Sequence, residues 1–137
     1  MIIFACVDDR YGMRFNHRRQ SADRTVIDKI IELSRNRKIW MEYYSALLFP
    51  ETANICIEDN FLQRASCDDC CFVERVDISR HLNRVNKIVL FHWNRRYPAD
   101  LFFPENVLIR DWRVVESVDF PGTSHENITM KVYEREK

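Results

Sequence analysis

Residues 2 to 7, IIFACV, form a continuous apolar run closed by Asp8 and Asp9, the pattern of a strand buried on both faces of a sheet. From Tyr11 to Gln20 the chain turns polar and basic and holds Gly12, one of only two glycines, which predicts a long ordered loop. Ser21 then stands as N-cap before ADRTVIDKIIELS, where Val26, Ile27, Ile30, Ile31 and Leu33 recur at helical spacing and lay down one apolar face. RNRKIWM predicts a basic turn leading into a short strand, and EYYSALLF a short second helix stopped by Pro50. Further strands are predicted at NICIE (centred on 55 to 58), CCFVERV (70 to 76) and NKIVLFHW (86 to 93), with one or two helical turns in DISRHLNRV between the last two.

The last third behaves differently. Trp112, Val114, Val118 and Phe120, and then Ile128, Met130 and Val132, alternate at or near period two around Pro121-Gly122, which predicts a terminal β-hairpin. Strands alternating with helices give an α/β sheet with an antiparallel C-terminal edge. There is no internal repeat, linker or low-complexity segment, and 137 residues suit a single domain, residues 1–137, with a core that needs no metal or disulfide.

Composition narrows the function classes. The 21 basic and 21 acidic side chains cancel, so any attraction to nucleic acid or a membrane has to be local. No apolar run approaches the roughly 18 residues of a membrane span, and MIIFACVDD lacks a basic leader region, so a cytoplasmic protein is expected. The five cysteines are odd in number, and four of them sit in apolar or β-like runs, which suits reduced thiols.

Several strings, in order and at similar spacing, resemble dihydrofolate reductase over nearly the whole chain. Ala5 through VDDRYGM to Asn16, with the Gly12-Met13 pair, is similar to the family's first strand and the flexible loop after it. KIVLFHW, Phe103-Pro104, Asp111-Trp112, Phe120, Ser124-His125 and VYER (132 to 135) resemble its closing strands. The resemblance implies a mixed, mostly parallel sheet with flanking helices and a C-terminal antiparallel hairpin. It also matches Asp23, at the start of the first helix, to the carboxylate that contacts the pterin ring and assists its protonation. An acid there also complements the helix dipole, so a purely structural role is the alternative.

The departures bear on the cofactor. Where the family has a glycine pair that lets backbone approach the dinucleotide pyrophosphate, this chain has Glu74-Arg75, which adds bulk and negative charge. The family's phosphate-holding arginine and threonine on the second helix are replaced by Glu42, Tyr43, Tyr44 and Ser45, and only Ser45 keeps a hydroxyl. The threonine that supports the catalytic acid aligns with Phe91. No cofactor is therefore expected, with NADPH as the alternative, and an ordinary reductase is not expected.

Other constellations each carry two readings. Arg10, Arg14, His17, Arg18, Arg19 and Arg24, interleaved with Tyr11 and Phe15, offer guanidinium groups for phosphate and aromatic faces for a base. Pairing with Asp8, Asp9 and Asp23 in an internal network is the alternative. Cys67, Cys70 and Cys71 have thiolate spacing, with His81 or His92 as distant ligands, but a second pair is missing and no metal is expected. An HxHxDH metallo-hydrolase pattern is absent, which argues against a zinc-dependent nuclease; the histidines, His17, His81, His92 and His125, are isolated in sequence. There is no GxSxG elbow and no Gly-rich phosphate loop, although counting serines does not decide against a triad. In HWNRRYP (92 to 98), Trp93, Arg95, Arg96 and Tyr97 suit either a binding surface or a solvated strand end with one buried aromatic.

The candidate ligand-binding set is thus Arg10, Arg14, Asn16, Arg18, Arg19 and Arg24, with Tyr43 and Ser45; the candidate catalytic residue is Asp23. Three functions follow: a dihydrofolate-reductase-like module that has lost NADPH and binds an anionic small molecule, nucleotide or RNA through the Arg-rich loop; a diverged NADPH-dependent reductase of a folate- or pterin-like substrate; or a protein-interaction or inhibitor module anchored by Tyr, Trp and Arg.

Overall fold

In the computed structural model, which describes residues Met1–Glu136, the first apolar run is strand β1 (Ile2–Val7) at the centre of a seven-stranded sheet. The strands before the chain's last third are β2 (Gly12–Phe15), β3 (Arg18–Arg19), β4 (Ile39–Met41), β5 (Ile55–Ile57), β6 (Cys70–Val73) and β7 (Lys87–His92). They are followed by β8 (Leu101–Phe102), β9 (Trp112–Phe120) and β10 (Ile128–Arg135). The large sheet runs β5-β4-β6-β1-β7-β10-β9. Its first five strands are parallel, and β10 joins β7 and β9 antiparallel.

The sheet is covered on both faces, which is why β1, β6 and β7 are continuous apolar runs. Ile2, Phe4, Phe72, Val89 and Phe91 face helix α1 (Arg24–Ser34) through its Val26 and Ile30. Ile3, Ala5, Val7, Val73, Ile88 and Leu90 face the short helices α3 (Phe61–Arg64) and α4 (Glu105–Asp111) through Phe61, Leu62 and Leu108. Edge strand β9 buries only Trp112 and Phe120 at its two ends, so its alternating valines do not mark a core face.

The structure corrects several local expectations. The long loop from Tyr11 to Gln20 is a hairpin, β2 with β3, turned at Asn16 and His17 with φ of 53° and 63°; paired positive φ values are the geometry of a two-residue hairpin loop. With β8 on its other side, this hairpin forms a separate three-stranded sheet. Helix α1 is capped by Asp23, whose carboxylate accepts from the Thr25 N–H, and not by Ser21. The second helix, α2, is only Tyr43–Ala46, and β6 ends at Val73, before Glu74. The helical turn expected in DISRHLNRV is a 3-10 turn, Leu82–Arg84.

Gly12 sits where a side chain cannot. A Cβ there would lie 2.6 Å from Ala99 Cβ and 2.7 Å from Gln20 Nε2. Gly12→Ala is accordingly expected to destabilise the protein by about 1–3 kcal/mol, as overpacking does, measured by urea unfolding. A loss below about 0.5 kcal/mol would mean that the 95–100 segment yields freely.

Candidate functional site at the carboxyl edge of the sheet

In open α/β sheets ligands sit beyond the carboxyl ends of the strands. In this chain an acid follows four of those ends: Asp8 after β1, Glu42 after β4, Glu58 after β5, where Arg64 pairs with it at 3.4 Å, and Glu74 after β6. Each carboxylate is engaged by the chain itself. Asp8 Oδ1 accepts from the backbone N–H groups of Arg10 and Gly12 at 2.9 and 2.7 Å, and Oδ2 from Gln20 Nε2 and the Tyr97 N–H at 3.1 and 3.2 Å. Burial works against that charge, but these donors outweigh it and hold the Asp8 carboxyl below the usual carboxylate range.

Glu74 is buried and receives Arg19 bidentately, Nε to Oε2 at 2.8 Å and Nη2 to Oε1 at 3.0 Å. Ser45 Oγ donates to Oε1 as well, at 2.8 Å. A carboxylate is tolerated out of water only with such pairing. Desolvation opposes the Arg19 charge, yet hydrogen bonding and attraction to Glu74 prevail and raise its pKa. Arg75 repeats the arrangement on Glu42, with Nη2 to Oε1 at 2.9 Å. Between the two guanidinium groups lies the Tyr44 ring, 4.1 Å from Arg19 Cζ and 3.8 Å from Arg75 Cζ. Cys6 adjoins this cluster, and burial, reinforced by Glu74, pushes its thiol well above the ordinary range, so it is no thiolate nucleophile.

A second cluster forms where the β9–β10 connection crosses the start of α1. The Asp23 carboxylate accepts four hydrogen bonds: from the N–H groups of Thr25, Thr123 and Ser124 at 2.9, 2.9 and 2.7 Å, and from His125 Nδ1 at 3.0 Å. Its side chain has no exposed surface, and burial would raise its pKa, but the donors hold it far below the usual range. His125 Nε2 meets Ser21 Oγ at 2.9 Å, and its ring stacks on Trp93 with centroids 4.5 Å apart. Gly122 approaches so closely that a Cβ would lie 2.5 Å from Asp23 Oδ2. Phe91, at the position aligned with the family's supporting threonine, is fully buried edge-on to Phe120.

The other candidates are scattered around these clusters. Arg14 donates to the Arg75 carbonyl at 2.9 Å and pairs with Asp100 at 3.4 Å, and Arg10 reaches the Tyr97 carbonyl. The acids interleaved in the loop are therefore not the partners of its guanidinium groups. Asn16, His17 and Arg18 are exposed at the hairpin, Arg24 is exposed on α1, and Tyr43 is exposed on α2 beside buried Ser45. Trp93 is buried, whereas Arg95 and Arg96 are exposed.

Cys70 and Cys71 point to opposite faces of the sheet, into separate core clusters, and Cys67 is exposed. Burial pushes the Cys71 thiol up to about 12. His92, held edge-on to Tyr11, is pushed down to about 4 by burial and by Lys131, so it is neutral near pH 7. The contacts of Glu74 with Arg19 and of His125 with Ser21 link residues 55 and 104 positions apart, and no local sequence signal announces either.

A central β1 flanked by parallel β6 and β7, helices on both faces and an antiparallel closing pair define a dihydrofolate-reductase-like fold. The structure is similar to that of dihydrofolate reductase from Enterococcus faecalis complexed with NADP(H) and RAB-propyl, with a TM-score of 0.69 over 99% of this chain and 96% of that chain. Sequence identity between the two is 9%, so the likeness is one of fold. No family model matches the sequence, and no curated protein matches it. Among the described residues, no helix is long and apolar enough to cross a membrane.

Proposed function

We propose that this chain is a diverged dihydrofolate-reductase-like protein that has given up the NADPH site and binds an anionic ligand, a nucleotide in the simplest case, through the β2–β3 hairpin. The Arg19–Glu74–Ser45 cluster carries the first half of this reading. The family's glycine pair leaves room for pyrophosphate; here Glu74 brings a negative charge to the end of β6, and the guanidinium nearest to it is already bidentate on that carboxylate. A phosphate entering there would have to displace an acid that is itself buried, which costs several kcal/mol per uncompensated ion. The residues present do not fit the cofactor's phosphates.

The second half rests on the outer side of the hairpin. Arg18 has no hydrogen-bond or ion-pair partner among the described residues and lies across the strands from Phe15, which is 49% exposed. Tyr43 on α2, next to the Tyr44 that packs under Arg19, is 63% exposed. An uncommitted guanidinium with an exposed aromatic face across the hairpin from it suits a phosphate joined to a base.

A thermal-shift titration with nucleoside triphosphates, NADPH and dihydrofolate tests the reading. Expected is saturable stabilisation by a nucleotide that falls steeply with added salt and weakens about tenfold in Arg18→Ala. Saturable stabilisation by NADPH that survives Arg18→Ala would overturn it in favour of the reductase, with Asp23 as the acid. A protein unmoved by every nucleotide would overturn it in favour of a protein partner.

A further inference from the structure

Ser21, His125 and Asp23 stand in a hydrogen-bonded line that the binding reading does not use. Ser21 Oγ lies 2.9 Å from His125 Nε2, and His125 Nδ1 lies 3.0 Å from Asp23 Oδ2. From this geometry we infer that Ser21 is the nucleophile of a Ser–His–Asp triad that hydrolyses short-chain carboxylic esters.

Such triads are recognised by distances and roles, since the same constellation recurs on unrelated folds and in different chain orders. Each role is filled here. Ionised Asp23 accepts from Nδ1–H, which fixes the tautomer in which Nε2 is free to take the hydroxyl proton of Ser21. Asp23 is fixed in turn by three backbone N–H groups and excluded from water, and the imidazole is clamped against Trp93. His125 is itself buried, while Ser21 is only half-buried and so open to a substrate. A pin holding the β9–β10 connection to α1 would need only the Asp23 contacts; the hydroxyl on the far nitrogen adds the group that a nucleophilic mechanism requires.

The adjoining space has the size and lining for a small acyl group. A cavity of about 210 Å³ is walled by Ala22, Asp23, Arg24, Ile27, Leu48 and Ser124; Ser21 and His125 are not among its walls, but their chain neighbours Ala22 and Ser124 are. Ile27 and Leu48 give it an apolar side, and Arg24 adds a cationic residue to its wall. The backbone N–H groups of Ala22, just before the N-cap, and of Arg24, the first residue of the 11-residue helix α1, have no acceptor among the described residues and are the candidate donors to the oxyanion.

In the first step Ser21 Oγ bonds to the ester carbonyl carbon and its proton passes to His125 Nε2. The bond from that carbon to the alcohol oxygen then breaks, and Nε2 returns the proton to the leaving alkoxide. Water next adds to the acyl-serine, giving a proton to Nε2, and the bond from the acyl carbon to Oγ breaks as Oγ regains it. One ester and one water become one acid and one alcohol. Asp23 is a positioning residue that acts through His125.

The test is incubation of the whole protein with 4-nitrophenyl acetate and, separately, a fluorophosphonate probe, with peptide mapping of the adducts. Expected are 4-nitrophenol release, acetyl-Ser21 trapped by acid quenching and a probe adduct on Ser21. Release should fall on the order of a hundredfold or more in Ser21→Ala and in His125→Gln. Asp23→Asn should lower kcat with KM little changed, since it disturbs the tautomer and not substrate binding. Ser21→Ala removes only the hydroxyl on the far side of the ring, so its unchanged melting temperature keeps the comparison valid even if His125→Gln unfolds. Labelling of another residue in place of Ser21, no adduct at all, or release that persists in Ser21→Ala would overturn the proposal.

Discussion

Arg19→Met is expected to lower the unfolding free energy by about 3–5 kcal/mol, the cost of leaving a buried carboxylate without its partner. Glu74 has a side-chain exposure of 6% and would keep only the Ser45 hydroxyl as a donor. The guanidinium also leaves a gap against Tyr44, whose OH accepts from the Arg19 N–H at 3.0 Å and whose carbonyl accepts from Nη2. Methionine fills part of that volume, so the loss reports mainly the unpaired charge. Adding Glu74→Gln should recover much of it, because an amide out of water costs less than a carboxylate. Urea unfolding of the two singles and the double closes the cycle. A single-mutant loss below about 1 kcal/mol would show that Glu74 is hydrated, and the reading of a closed carboxyl edge would fall with it.

The same cluster shows which parts of the molecule are legible in the sequence. Runs such as IIFACV and KIVLFH declare themselves as strands because both sheet faces are covered, and β1 and β7 lie within a residue or two of the expected bounds. The helix face at Val26, Ile27 and Ile30 is equally plain, but its start is not: Ser21 and Asp23 both have N-cap chemistry, and the β9–β10 connection decides between them by drawing Ser21 to His125. The β2–β3 hairpin is hidden because Asn16-His17 takes positive φ without a glycine. Helix α4 escapes because it buries only Leu108 while Ile109 lies 71% exposed, which leaves no periodic face to detect.

For the site, the sequence marks Glu74, Asp23 and Ser45 as places where the family's pattern fails or holds, without their partners. Those partners come from elements far along the chain, and only the sheet order brings them together. Arg19 is on the small sheet and Glu74 is at the end of β6, so their meeting depends on how two sheets pack. His125, isolated in sequence, becomes the bridge between Ser21 and Asp23, two positions apart just before α1. Exposed Arg18, by contrast, is visible as a candidate in the sequence and remains one because no acid among the described residues pairs with it.

Asp23→Ala is expected to cost about 4 kcal/mol near neutral pH, through loss of a helix cap and of several hydrogen bonds to a buried charge. The variant leaves the N–H groups of Thr123 and Ser124 and the His125 ring without their acceptor, so the β9–β10 connection should loosen from α1. The pH dependence separates this from simple loss of packing. The Asp23 carboxyl is held far below its ordinary range, so the folded state binds the proton less readily than the unfolded chain. Its contribution is fully present above the unfolded value of about 3.9 and is lost as pH falls below that toward the folded pKa. Wild-type protein should therefore lose stability on acidification faster than Asp23→Ala, and the gap between them should narrow below about pH 4. Asp8, Asp69 and Asp77 are depressed as well and give both proteins a common acid slope, which the difference cancels. A gap unchanged from about pH 7 to about pH 3 would mean that shape, and not the ionised carboxylate, ties the connection to the helix.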